Sequence, residues 1–92
     1  MEGEHTFGFE VALDLVKQGK RVARKGWKNI KAIFLVAGST FAVNRAPLLG
    51  IFPEGQKIVY NPHIDVIATD ETVGVWTPTT FDILSGDWVE IV

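Results

Sequence analysis

The chain has 92 residues, 47% of them apolar, with nine basic and eleven acidic side chains and a formal net charge of −2. That is the length of a single domain, 1–92, too hydrophobic for disorder and too mildly acidic to favour a nucleic acid as its main partner. No cysteine is present, which excludes disulfides and thiolate metal sites and favours a reducing cytosol.

Met1–His5 is polar and acidic, unlike a signal peptide, and residues 1–6 are expected to form a loose N-terminus. No apolar run approaches the roughly 20 residues of a membrane span. Three Trp and six Phe are many for so small an interior. Part of this surface is therefore expected to be buried between copies of the chain.

Phe9, Ala12, Leu13 and Val16 recur at i, i+3, i+4 and i+7 and predict a helix from Phe9 to about Gln18, stopped by Gly19. Thr6 is a candidate cap. Lys20–Lys25 reads as a short strand and Gly26–Asn29 as a turn. Ala32–Ala37 is continuously apolar and predicts a strand covered on both faces, ended by Gly38-Ser39-Thr40. Phe41–Pro53 holds two prolines and a glycine, which argues against a regular central strand and for an ordered excursion or edge element.

Lys57–Tyr60 and His63–Thr69 read as strands. Asp70–Thr72 is a turn and Val73–Thr77 the returning strand of a hairpin. Thr77 as N-cap and Pro78 as first helical residue predict a short second helix, with Trp76 and Phe81 as its hydrophobic staple, ending at Gly86. Trp88–Val92 closes the chain as a strand. The expected class is α+β: a small antiparallel β-sheet or sandwich, an N-terminal helix, and a short helix before the C-terminal strand.

Covalent chemistry finds few candidates. His63 and Asp65 stand two apart on one strand and share a face, and could serve a Ser or Thr nucleophile, but a hydrogen-bonded sheet histidine is the simpler account. Asp65, Asp70 and Glu71 can hold a divalent ion, though turn carboxylates are ordinarily solvated. There is no zinc-protease motif, phosphate loop or dinucleotide fingerprint. No cofactor and no metal is expected.

The groups that remain suit nucleotide binding. Trp27, in a basic loop, can stack on a purine, or pack on the first helix. Arg45 beside Asn44 can fork onto a phosphate, or form a surface salt bridge. The backbone N–H groups of Thr79 and Thr80 can receive an anion at the helix start, or simply be capped. Asp65 and Asp82 can accept from ribose hydroxyls.

Gly19-Lys20-Arg21, Gly26-Trp27, Ile33-Phe34-Leu35-Val36, Pro62-His63-Ile64-Asp65, Val75-Trp76-Thr77-Pro78, Asp82 and Asp87-Trp88, in this order and spacing, resemble the second Thoeris anti-defence family of small phage-encoded domains. The resemblance covers about Phe9–Val92. It implies a non-enzymatic sponge that sequesters a cyclic ADP-ribose signal, and in some members cyclic dinucleotides, so that the Thoeris effector stays inactive. It further implies a homotetramer with ligand sites between protomers, working in the cytoplasm of the infected bacterium. Trp27, Trp76, Thr77, Pro78 and Asp82 match the family pattern, and Thr79, Asp65, Asn44 and Arg45 complete the candidate ligand site on chemical grounds. The competing reading is a small phage structural or host-protein interaction module, with Phe41–Pro53 as its contact surface.

Overall fold

The amphipathic stripe of the first segment forms helix α1, Phe9–Lys17, with Ala12 and Val16 buried. This description comes from a computed structural model that covers residues 5–92. The expected loose N-terminus lies partly outside those residues. From Phe7 onward the chain is fixed: Phe7 exchanges two backbone hydrogen bonds with Trp88. Thr6 does not cap the helix. Gly8 holds the N-cap position with no side-chain hydrogen bond. Gly19 ends α1 at φ +90°, a left-handed conformation that glycine adopts without steric cost.

Strands β1 (Arg21–Arg24), β2 (Ile30–Val36), β5 (His63–Ala68), β6 (Val73–Val75) and β7 (Trp88–Ile91) form one antiparallel sheet in the order β6-β5-β2-β1-β7. Helix α1 lies on one face of it, against β1, β2 and β7. Between them Ala12, Val16, Val22, Ile33, Trp76 and Trp88 form the buried core. Phe9, Trp27, Trp76 and Trp88 interlock with ring centroids 5.1–6.3 Å apart, in tilted and edge-on arrangements that suit the ring quadrupoles. Central strand β2 is only partly covered. Ala32 and Ile33 are buried, whereas Phe34, Leu35 and Val36 are half-buried; Phe34 and Val36 alternate to the face opposite Ile33 and α1.

The segment after β2 differs from the sequence reading. Gly38-Ser39-Thr40 does not end the ordered run. Ser39–Ala42 forms β3, which pairs with β4, Lys57–Tyr60, as a separate two-stranded ribbon. The prolines and Gly50 fall beyond the strand, so their exclusion from regular sheet never applied to Ser39–Ala42. At the ribbon stem a Cβ on Gly38 would stand 2.5 Å from the Tyr60 carbonyl oxygen, so the two strands can approach this closely only with glycine there. The tip, residues 43–56, turns around buried Val43, whose N–H and C=O bond to Gln56 and Gly55. The Ala46–Pro47 peptide in it is cis. The ribbon makes the molecule elongated, 55 × 26 × 25 Å, with a radius of gyration of 16.5 Å against about 12 Å for a compact chain of this length.

The second helix begins later than expected. Thr79, not Thr77, is the N-cap of α2, Thr80–Leu84. Only Thr79 has an acidic residue three positions on. It accepts from the Asp82 N–H at 3.1 Å while the Asp82 carboxylate accepts from the Thr79 N–H at 2.8 Å, a reciprocal capping box. Strand β6 correspondingly stops at Val75, and no staple forms, since Phe81 is 79% exposed.

Asp82 also anchors the helix to the sheet. Arg24 of β1 donates from one guanidinium nitrogen to Asp82 at 2.8 Å and from Nε to Asp87 at 2.9 Å, while the Asp82 carbonyl accepts from the Trp88 indole at 2.9 Å. The two carboxylates hold the Arg24 guanidinium above its ordinary pKa, Asp87 more strongly than Asp82. For each aspartate, desolvation is the largest single influence and raises its pKa. The hydrogen bonds outweigh it together, from Thr79 and Arg24 at Asp82 and from Arg24 and Ser85 at Asp87, and hold both below the ordinary 3.8.

Arg24→Ala strands a buried carboxylate and is expected to cost about 2–3 kcal/mol in urea unfolding at fixed protein concentration. Asp87→Ala, at a more exposed partner, should cost about 1 kcal/mol. Because both carboxyl pKa values are depressed on folding, the clasp stabilises in full above about pH 4 and is lost as pH falls through the folded-state values. The wild-type chain should therefore lose stability steeply below about pH 4, and Arg24→Ala should flatten that acid limb.

Candidate functional site

The residues expected to bind ligand separate into three places. Asn44 and Arg45 open the ribbon tip and line a basin of about 870 Å³ together with Ser39, Phe41, Ala42, Ala46, Pro47, Leu48 and Tyr60. Ser39 faces Tyr60 across the ribbon and Phe41 faces Ile58, so Phe41 and Tyr60 are diagonal neighbours on one ribbon face. Their rings meet edge to face at 5.2 Å. Asn44 and Arg45 are exposed, and among the described residues Arg45 forms no ion pair. The basin thus combines a guanidinium, an amide, the Ser39 and Tyr60 hydroxyls and two aromatic rings. Its volume lies within the range of small-molecule sites.

Trp76 and Pro78 line a second concavity, an apolar groove of about 620 Å³. Phe9, Leu13, Val16 and Lys17 of α1 form one wall, and Leu35, Pro62, His63, Ile64 and Val75 the other. His63 and Asp65 do touch, with Nε2 3.2 Å from the carboxylate. Among the described residues no serine or threonine hydroxyl is hydrogen-bonded to this pair. The pair orders the start of β5 at the groove's edge. Thr77 is exposed in the link between β6 and α2.

Trp27 and Asp82 serve the architecture. Trp27 is half-buried against the core, its ring 5.1 Å from Trp88, which is the packing alternative and not an exposed stacking platform. Asp82 is 6% exposed, and both its oxygens are engaged by Arg24 and Thr79, so neither is free for a ribose hydroxyl within this protomer. The same capping box occupies the start of α2. The Thr79 N–H is bonded to Asp82, so the chain's own carboxylate stands where an anion was expected. Asp70 accepts from the Thr72 N–H and hydroxyl and Glu71 pairs with Lys31. Among the described residues no group of three potential metal ligands is assembled.

Phe41, Tyr60 and Ser39 were missing from the sequence reading of the site. The signal that could have found them is the pairing of two runs, Ser39–Ala42 and Lys57–Tyr60, each short and β-prone, on either side of a proline-containing tip. The geometry separates stability from binding. Trp27→Ala should cost about 2–3 kcal/mol in unfolding experiments, whereas Asn44→Ala and Arg45→Ala, at exposed positions, should stay within about 0.5 kcal/mol of wild type.

Residues 7–91 match the family model of the Thoeris anti-defense 2-like domain. The Thoeris anti-defense 2 protein of Bacillus phage SP01 is 32% identical over 80 residues, which cover 87% of this chain and 89% of that protein. The match takes in α1, the five-stranded sheet, the ribbon and α2, the whole of the architecture described above. The chain belongs to the Thoeris anti-defense 2-like family, phage proteins directed against Thoeris defence.

Proposed function

We propose that the protein counters Thoeris by binding and sequestering a cyclic nucleotide immune signal, a cyclic ADP-ribose isomer or a cyclic dinucleotide, without breaking it. It would do so as a homo-oligomer, needing no cofactor, in the cytoplasm of the infected host. The observation that carries this reading is the basin that runs along the ribbon from its stem to its tip. Such a ligand offers flat bases, ribose hydroxyls and anionic phosphates. Phe41 and Tyr60 supply faces for stacking, Asn44 and Ser39 supply hydrogen bonds, and Arg45 supplies planar donors matched to two phosphate oxygens. A sponge needs retention and no turnover, and the basin brings no paired acid, base and nucleophile to bear.

A second reading, a protein-interaction module, draws on helix α2. Phe81 and Leu84 are each 79% exposed, side by side on the helix, while its carboxylate points inward. Native mass spectrometry of the purified protein separates the two: a co-purified small molecule supports the sponge, a stable hetero-complex the module.

Calorimetric titration with the cyclic ADP-ribose isomer, and separately with cyclic dinucleotides, tests the proposal. Arg45→Ala should weaken binding about 10- to 100-fold, the loss of a charge-assisted contact, with no change in unfolding. Unaltered affinity in that variant would remove Arg45 and the basin from the site.

A further inference from the structure

The basin is as wide as the gap between the strands that carry it, and its near wall begins at the stem. Ser39 and Tyr60 both line it and form the first pair of the ribbon. The last pair of the sheet before them is Val36 and His63. The ribbon therefore continues the β2–β5 ladder with no residue gained or lost on either strand. Ala37 and Gly38 lie between on one side, Asn61 and Pro62 on the other. Among the described residues no backbone hydrogen bond crosses this stretch, and Pro62 has no N–H to make one.

What spaces the strands here is direct contact. A Cβ on Gly38 would stand 2.5 Å from the Tyr60 carbonyl oxygen, 3.1 Å from Pro62 Cδ and 3.2 Å from the Pro62 nitrogen. Gly38 does not adopt the left-handed conformation, so glycine is needed for space and not for backbone freedom. The obstacles are main chain and a closed ring, which cannot rotate aside as a flexible side chain would. Even a methyl group at this position must drive the Tyr60 carbonyl outward by about 0.5–1 Å to reach van der Waals separation. The body offers little restraint, since β3 and β4 pair only with each other and all four residues of β3 are exposed. The displacement passes to the adjoining pair, Ser39 and Tyr60, and to the Tyr60 ring, 5.2 Å from that of Phe41.

We infer that Gly38 is a positioning residue for the basin: packed against Tyr60 and Pro62, it sets how far Ser39 and Phe41 stand from Tyr60, and so the width of the seat offered to a nucleotide base. It touches no ligand itself. The inference rests on the proposed function for what the basin holds, and adds the residue that fixes its dimensions. Binding groups need placement to within about 0.5 Å, so a shift of the size an alanine imposes is enough to lose affinity.

The chain has one tyrosine, in the ribbon, and three tryptophans, all in the body, so the two parts report separately. With 3-fluorotyrosine at Tyr60, one fluorine resonance reads the basin, and its position in Phe41→Leu marks loss of the neighbouring ring. Gly38→Ala should move the resonance toward that position. It should weaken calorimetric binding of the cyclic ADP-ribose isomer by about 10-fold or more and leave the tryptophan-detected urea midpoint unchanged. Gly74→Ala, where a Cβ meets nothing within 4 Å, should alter none of the three. A fluorine resonance unmoved by Gly38→Ala overturns the inference, whatever the affinity. A moved resonance with wild-type affinity overturns the part of Gly38 in binding, and takes the ligand out of the basin. If the wild-type protein binds no cyclic nucleotide, the proposed function fails, and the fluorine shift by itself decides whether Gly38 sets the basin.

Discussion

The contact on which the rest of the structure depends is Arg24 held between Asp82 and Asp87. Residues from β1, α2 and the turn before β7 meet at this one guanidinium. Helix α2 is five residues long, far below the length at which a helix persists by itself. Its apolar side chains do not hold it down, since Phe81 and Leu84 face solvent. It is held by one carboxylate that closes the capping box and accepts from Arg24, and by the carbonyl that receives the Trp88 indole. This fixes the path from β6 to β7 and so places Trp76 and Trp88 in the aromatic core. A charge buried to that degree is costly unless every lone pair is answered, and here the answers come from neighbouring backbone, guanidinium and hydroxyl.

Above this body the molecule is built on a different principle. The sheet and α1 bury a conventional core, while the ribbon projects, buries little beyond Val43, and carries the basin along its length. The separation lets the basin vary without disturbing the core. It also leaves a surface that is apolar for a free monomer, in keeping with a chain in which nearly half the residues are apolar. The residues best placed to engage a ligand, Arg45, Asn44, Phe41 and Tyr60, sit on this projecting part. Trp27 and Asp82, which have the chemistry of ligand residues, are spent on holding the body together.

Much of the body could be read from the sequence. The spacing of Phe9, Ala12, Leu13 and Val16 marks α1, and the apolar run through Ile33 marks the central strand. The Asp70–Thr72 turn marks the β5–β6 hairpin, and the ordered series of motifs marks the family. What could not be read depends on contacts distant in sequence. Thr77 and Thr79 are both plausible caps, and the choice falls to Thr79 because Asp82 is also drawn in by Arg24, 58 residues away. Phe81 looks like a staple residue until that carboxylate turns the helix and faces it outward. The ribbon stayed hidden because Pro47, Gly50 and Pro53 dominate the local pattern, while Ser39–Ala42 owes its strand to pairing with Lys57–Tyr60. Of the candidate site, Arg45 and Asn44 were legible from chemistry alone. Their aromatic neighbours depended on ribbon register, which no local pattern reports.

The central claim is that this protein disarms Thoeris by holding its signal intact. The most direct measurement is to incubate the purified protein with the cyclic ADP-ribose isomer, remove free ligand, denature the complex by heat, and identify by mass spectrometry what is released. The account predicts quantitative recovery of the unaltered cyclic molecule. Recovery of a linear or hydrolysed product would show turnover and contradict it, as would failure of the folded protein to retain any ligand.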